Sequence, residues 1–430
     1  MDTIIALSSG GLPSGVAVLR LSGPSSAEVL SSFGVTLPTA RHAKLATLRD
    51  DAGRVIDEAL ILYFPAPHSF TGEDVIELQC HGSQAVVQKL LSLATSHKNV
   101  RLAEPGEFSQ RAFENGKMDL TEVEGLGDLL DARTESQREL AMTRMRGGVS
   151  ERVTTWRDQI INLLAEIEAR LDFSDEGDVD DELPPKFAQD LNSLITNLEQ
   201  ALSGFSQGQI IKDGFRVALV GRPNVGKSTL LNALAKSDRA IVTDIPGTTR
   251  DVIDVEIDIK GQLFQIFDTA GIRQTEDQVE LEGITRSYKA IEQAHLVIEL
   301  IDGKTPEPQI YPRADWTLYT KSTETSGDSR ETLSVSAKEG IGMTELLNKL
   351  HEITRNSKDS RETSLISHER DRQALEDSLF HLRAGVDLTK PLEFVAEDLR
   401  QATIPLSRLI GLVDAEQILD RLFAGFCIGK

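Results

Sequence analysis

The stretch RVALVGRPNVGKSTLLNALA, Arg216 to Ala235, decides how the whole chain is read. RVALVG is a short, nearly continuous apolar run of the kind that a parallel sheet buries on both faces. LLNALA carries helical spacing. Between them GRPNVGKST, Gly221 to Thr229, matches G-x-x-x-x-G-K-[ST] in the strand-to-helix setting where that pattern cradles phosphate. Gly221 and Gly226 let the backbone fold tightly round an anion, so that successive N–H groups and the helix N-terminus face it. Lys227 is expected to reach the β- and γ-phosphates and Ser228 to ligate Mg²⁺. Asn224, Val225, Gly226, Lys227, Ser228 and Thr229 form the candidate nucleotide loop.

Outward from this loop, strand-like runs recur at 252–258, 262–267, 296–301, 316–320 and 332–335, interleaved with helical patterns, the signature of an α/β layer fold. The block runs from about 213 to 360. On either side the pattern is helical. Val149, Val153, Trp156, Ile160, Leu163, Ile167 and Leu171 recur at steps of three and four, followed by Leu191, Leu194, Leu198 and Leu202, and beyond the linker NSKDSRET by Leu375, Leu379 and Leu382. The first 118 residues read as mixed α and β, with strands in GVAVLRLSG, EALILYF and VIELQ. The predicted fold class is therefore an α/β and all-α multidomain chain: an N-terminal α/β domain (1–118), then a helical domain (119–212 and 361–430) interrupted by an inserted Ras-like P-loop domain (213–360). Insertion is physically easy where the ends of a compact domain lie close together.

Composition narrows the options. The chain has 430 residues, enough for two to four domains. No apolar run approaches the roughly 18 residues needed to span a bilayer, and MDTIIALSSGG lacks a signal-peptide pattern, so a soluble, cytoplasmic protein with no membrane association is expected. Two cysteines cannot build a disulfide framework. The net charge is −22, and residues 119–212 carry nine Lys/Arg against twenty Asp/Glu. Such a surface repels phosphate backbones, so any RNA contact must be local or made by a partner.

Three further motifs choose the nucleotide. DTAG, Asp268 to Gly271, closes an apolar run, placing a carboxylate near Mg²⁺ and the Gly271 amide near a γ-phosphate. IPGTTRD, Ile245 to Asp251, puts Thr248 and Thr249 where a γ-phosphate sensor belongs. SAK, Ser336 to Lys338, follows a short strand as guanine-contacting loops do. Together these resemble the translation-factor-related GTPases. Two features depart from that pattern. WTLYTKST places Thr320, Lys321 and Thr323 where Asn-Lys-x-Asp reads guanine, which weakens discrimination unless an acid such as Glu324 substitutes. The 302–315 connection holds three prolines that oppose a crossover helix. Where many GTPases orient water with a glutamine after DTAG, this chain has Ile272; Glu276, Asp277, Glu280 and Glu282 are the nearby acids, and spacing alone does not choose among them.

GRPNVGKST, DIPGTTRD, DTAGIR, the Val279–Ile284 stretch and the terminal CIGK, with VLRLSG, IELQCHG and PGEFSQRAFENGKMDL, resemble the MnmE (TrmE) family of tRNA-modifying GTPases over the whole length. The resemblance implies that Glu280 orients the water and that the nucleotide contacts extend over Thr243, Asp244, Ile245, Pro246, Gly247, Thr248, Thr249, Asp268, Thr269, Ala270 and Gly271. It implies Mg²⁺ on Ser228 and Thr249, and K⁺ on Asn224, Thr243, Ile245 and Thr248 in place of an arginine finger. Asn224 also reads as a turn residue, and Arg250 as catalytic or merely surface. A 5-formyl- or 5,10-methylene-tetrahydrofolate donor is implied at Arg20, Glu77, Lys117 and Lys430, with Cys427 needed for modification. The implied assembly is a homodimer joined by an FAD-containing MnmG-type partner, with tRNA bound largely through that partner. Lys227, Arg250, Glu280 and Cys427 are the expected catalytic residues of a K⁺-stimulated GTPase that adds a carboxymethylaminomethyl or aminomethyl group to wobble uridine.

Other readings stand beside this one: a regulatory GTPase of ribosome assembly, which would carry a basic RNA-binding segment absent here, and a folate-binding scaffold with a degenerate G domain. Asp172–Glu182 resembles a Ca²⁺ loop but has Leu183 where a bidentate Glu is needed. His68 and His81 read as structural, and Cys80 as a small buried filler. FCIGK has the outline of a prenylation signal, but the helix before it is not polybasic.

Overall fold

The computed structural model describes residues 2–172, 183–241, 255–268, 291–306, 314–321, 332–355, 363–413, 422–423, 425–426 and 429. The chain divides into two compact units. The first comprises Met1–Gly127, Met145–Phe173 and Leu392–Lys430; the second comprises Asp128–Arg144 and Ser174–Pro391. Helices of both helical segments are thus shared between the units.

The first unit is built on a sheet of β1 (Thr3–Leu7), β2 (Ser14–Ser22), β3 (Lys44–Arg49), β4 (Val55–Phe64), β5 (Val75–Gly82) and β6 (Val100–Leu102), in the order β3-β4-β5-β2-β1-β6. Neighbours are antiparallel except β1 and β6. Two-residue alternation sends Leu19, Leu21, Ile61, Ile76 and Leu78 into a core closed by α1 (Ser26–Ser32) and α2 (Gln84–Thr95) through Val29, Leu30, Val87 and Leu90. Cys80 is buried in that core, as a filler should be. His81 pairs with Asp57 at 2.7 Å. The helices α3 (Glu107–Glu114) and α4 (Leu120–Asp131) follow, then α5 (Glu135–Met145) and the long α6 (Gly148–Asp172). In α6 the predicted stripe from Val149 to Ile167 is buried, while Leu171 at its end is only half-buried.

The second unit holds α7 (Pro185–Ser203), α8 (Phe205–Asp213), β7 (Phe215–Val220), α9 (Lys227–Ala235), β8 (Val255–Ile259), β9 (Gln262–Asp268), β10 (Leu296–Asp302), β11 (Trp316–Thr320), β12 (Thr332–Val335), α10 (Met343–Arg355) and α11 (Glu369–Ala384); α12 (Leu392–Leu409) packs on α6 in the first unit. The sheet order is β12-β11-β10-β7-β9-β8, parallel throughout except for the edge strand β8. β7 lies between β10 and β9, so the order reverses at its carboxyl end. In open α/β sheets that reversal leaves the crevice in which ligands bind. Predicted and observed strands agree closely, since nearly continuous apolar runs such as Leu296–Ile301, interrupted by the buried Glu299, suit a doubly covered sheet. The proline-rich connection lies largely outside the described residues. In α7, Leu191, Leu194 and Leu198 are buried as expected, but Ala201 takes the inward place and Leu202 is half-buried. The helix's 3.6-residue turn brings position 201 to the stripe.

One buried ionic cluster ties α5 to α11. Arg144, fully buried, lies 2.7 Å from Asp371 and donates at 2.8 Å to the Leu365 carbonyl, with Asp128 at 3.8 Å. His368 reaches Asp128 at 2.8 Å. Burial pushes the Asp371 carboxyl up, but the charges of Arg144 and His368 outweigh it and hold it below the usual aspartate range. A carboxyl depressed on folding contributes stability above its unfolded value of about 3.9 and loses it as pH falls through the folded value. Replacing Arg144 with leucine strands that carboxylate in the core. We predict a loss of about 3–5 kcal/mol at pH 8 in urea unfolding, shrinking as pH falls and the stranded carboxyl can take up a proton.

Candidate functional site

The phosphate loop leaves β7 at the sheet's switch point. Gly221 has φ +146° there, and a Cβ on it would sit 2.5 Å from the Leu300 carbonyl oxygen, so no side chain fits. Asn224 takes a left-handed conformation, φ +64°, which asparagine tolerates better than most residues. Gly226, also at positive φ, begins α9, whose first residue is Lys227. Leu230, Leu231 and Leu234 bury the inner face of that helix and hold its N-terminus at the crevice.

The loop borders a cavity of 580 Å³. Pro223, Asn224, Gly226, Lys227, Ser228 and Thr229 line one side, with Asp268 at the end of β9. Thr320, Lys321 and the Ser336–Lys338 loop line the other. Ser228 Oγ approaches Asp268 Oδ2 at 3.4 Å. A hydroxyl and a carboxylate converging from two elements are the oxygen donors that suit Mg²⁺. The Lys227 ammonium donates to the Gly221 carbonyl at 2.8 Å and to that of Arg222 at 3.2 Å, closing the loop on itself. Burial pulls the Lys227 pKa down and pushes that of Asp268 up, and each charge partly offsets the shift of the other. A phosphate delivered to this loop meets a half-desolvated cation and backbone N–H groups, which bind an anion more strongly than exposed ones would.

The two unusual residues at the end of β11, Thr320 and Lys321, have clear structural partners. Thr320 Oγ1 donates to the Val225 carbonyl, tying the strand end to the phosphate loop. Lys321 spans Asp302 at 2.6 Å and the Asn224 carbonyl at 2.8 Å. Both side chains brace the loop from the base side. Asp302, held below the usual carboxylate range by its hydrogen bond from Lys321, and Lys304, which lines the cavity, were not singled out in the sequence. Their signal was available in IDGK, a carboxylate and a lysine at the end of the strand beside β7. Thr323 and Glu324 lie outside the described residues.

In the first unit, Arg20 and Glu77 are direct neighbours across β2 and β5, and Arg20 Nε donates to Glu77 at 2.9 Å. The guanidinium also lies 5.5 Å from the Phe70 ring and 5.7 Å from that of Phe108. Phe70 is partly exposed, so a charged pair and an aromatic face border the same surface. Lys117 is exposed, with its Cε close to Gly72. Thr243–Thr249, Arg250, Thr269, Ala270, Gly271, Glu276, Asp277, Glu280, Glu282, Cys427 and Lys430 all lie outside the described residues.

Comparison with known proteins supplies the family. The model of the GTP-binding protein TrmE N-terminus matches residues 3–117, and that of the MnmE helical domain matches residues 120–427, running across the inserted α/β block. The tRNA modification GTPase MnmE of Bradyrhizobium sp. (strain ORS 278) is 44% identical over 440 residues, covering 100% of this chain and 99% of the relative. That of Agrobacterium fabrum is 45% identical over 437 residues with the same coverage. Among solved structures, the G domain of the T. maritima FeoB iron transporter aligns at 25% identity over 32% of this chain and 97% of that one, with a TM-score of 0.23. With full-length relatives at this identity, the chain belongs to the MnmE family of tRNA modification GTPases: it is a GTP hydrolase acting in tRNA modification, with a P-loop domain set within a helical one.

Proposed function

We propose that the chain is a K⁺-stimulated GTPase whose turnover gates addition of a carboxymethylaminomethyl or aminomethyl group to C5 of the wobble uridine of certain tRNAs. The observation that carries this reading is the shared cavity, in which one phosphate loop, the Ser228–Asp268 oxygen pair and the Ser336–Lys338 loop converge. Ser228 and Asp268 would hold Mg²⁺, with Thr249 as a further ligand, and Mg²⁺ would neutralise charge on the β- and γ-phosphates. Lys227 would turn from its loop carbonyls to phosphate. Asn224, with Thr243, Ile245 and Thr248, would hold K⁺, and Glu280 would orient the attacking water. Arg250 remains either a catalytic residue or a surface one.

The one-carbon donor, 5-formyl- or 5,10-methylene-tetrahydrofolate, would sit against Arg20 and Glu77, with Lys117 and Lys430 on its carboxylates. Support comes from the Arg20–Glu77 pair beside the partly exposed Phe70: a carboxylate matches adjacent pterin N–H donors, and a ring offers a stacking face. The working form would be a cytoplasmic homodimer with an FAD-containing MnmG-type partner, which would supply the redox chemistry and most of the tRNA surface. A net charge of −22 favours that division of labour. The four-part organisation, 1–118, 119–212, 213–360 and 361–430, belongs to the same proposal. Among the described residues, no helix is long and apolar enough to cross a membrane.

Deleting the gene and analysing tRNA nucleosides tests the central claim, and unchanged wobble uridines would overturn it. Three finer outcomes are expected. Replacing K⁺ by Na⁺ at constant ionic strength, or making Asn224→Ala, should lower GTP turnover about 10²-fold, the scale of one lost transition-state contact; equal rates in both salts would remove K⁺ from the scheme. Arg20→Ala should raise the KM for the folate donor and leave the KM for GTP alone. Cys427→Ser should keep GTP turnover and lose tRNA modification, and loss of both would make the residue structural.

A further inference from the structure

Asp302 organises the turn that leaves β10. One carboxylate oxygen accepts from the Lys321 ammonium at 2.6 Å, and the other accepts from the backbone N–H of Lys304 at 3.0 Å. The Thr305 N–H donates to the Asp302 carbonyl at 3.2 Å, and the Gly303 N–H donates to the Thr320 carbonyl at 2.8 Å, so the turn is also stitched to the end of β11. The two strands are parallel neighbours there, with Asp302 opposite Thr320. These bonds fix the backbone of Lys304 on the base side of the cavity, which it lines together with Thr320, Lys321 and the Ser336–Lys338 loop. Its side chain is exposed, and among the described residues its ammonium makes no hydrogen bond.

The neighbouring donors are committed elsewhere. Thr320 has a single hydroxyl proton, which goes to the Val225 carbonyl, with the Ile301 carbonyl at 3.2 Å as a second acceptor. No proton is left for a ring nitrogen of a bound base. Lys321 turns back to Asp302 and the Asn224 carbonyl. Guanine carries two acceptors, O6 and N7, on one edge, where adenine carries N7 and a 6-amino donor. The N1–H and 2-amino donors of guanine lie farther round the ring and call for a carboxylate, which Thr323 does not have. An ammonium on this wall therefore matches the acceptor edge of guanine and is mismatched to the amino group of adenine. The carboxylates that line the cavity are Asp268, on the phosphate side, and Glu339.

We propose that Lys304 is the residue by which this site tells purines apart: its ammonium takes the O6/N7 edge, so that 6-oxo purine nucleotides are selected over adenine nucleotides while the 2-amino group of guanine goes unread. Guanosine and inosine nucleotides are then equivalent ligands. The inference rests on the reading of the cavity as the GTP site, and goes beyond it by naming the edge that is recognised and the side chain that recognises it.

The test is calorimetric titration of the full chain with GDP, inosine diphosphate and ADP in the presence of Mg²⁺. The unaltered chain should bind GDP and inosine diphosphate equally, and ADP roughly tenfold to a hundredfold more weakly, the worth of one good donor contact on the correct base edge. Lys304→Met, which keeps the length of the side chain and removes its charge, should weaken GDP and inosine diphosphate to the level of ADP and leave ADP unchanged. ADP shares the phosphates and ribose, so its constant binding reports an intact phosphate loop. Lys304→Arg, which keeps the donors, should restore the preference. Inosine diphosphate binding about tenfold or more weakly than GDP would show that the 2-amino group is read, by Glu339 or another acid, and overturns the proposal. An unchanged GDP-to-ADP ratio in Lys304→Met also overturns it, as does an equal loss of all three ligands, which would move Lys304 to the ribose or phosphates. Lys227→Met should weaken all three together; if it weakens none, the cavity is not the nucleotide site and the underlying reading falls as well.

Discussion

The contact on which the second unit depends is the close approach of Gly221 to the Leu300 carbonyl. A single added carbon at that position would lie 2.5 Å from a backbone oxygen. The approach is possible because β7 and β10 are parallel neighbours, Val220 pairing with Glu299 at the point where the chain turns away. From there the loop takes a left-handed residue at Asn224 and enters α9 at Lys227, beside the cavity. The position of Lys227, the approach of Ser228 to Asp268 and the bracing by Thr320 all follow from that passage. The path of the loop is set here by backbone crowding, and that path decides where Lys227 and Ser228 are presented.

Thr320 and Lys321 show how a site keeps its architecture while one recognition element changes. The strand end after β11 has to secure the phosphate loop from behind, and a hydroxyl on the Val225 carbonyl does this. The lysine clamps Asp302 and the Asn224 carbonyl. Neither task needs an asparagine. Thr323 has no carboxylate with which to accept paired hydrogen bonds from a base, and Thr320 and Lys321 brace the loop without one.

Buried charge in the two units is used differently. Around Arg144 the ions are sealed between helices, and removing one partner would leave the other desolvated. Around Arg20 and Glu77 the pair is only partly covered and lies beside a partly exposed ring, an arrangement that leaves polar groups within reach of a ligand. Burial separates a structural ion pair from a candidate recognition pair even where the distances are alike.

The strands of the inserted block, its phosphate loop and the helical stripes of α6, α7 and α11 were legible in the sequence, because each is encoded by neighbours along the chain: a continuous apolar run, a glycine spacing, a repeat of three and four. The exchange of Leu202 for Ala201 marks the limit of such periodicity at a helix end. What the sequence alone could not decide is which residues separated by tens or hundreds of positions share a surface. Arg20 meets Glu77 through strand register, and Arg144 meets Asp371 through the packing of helices from distant segments. Those contacts arise from how whole elements bury their apolar faces, and no local pattern records that outcome.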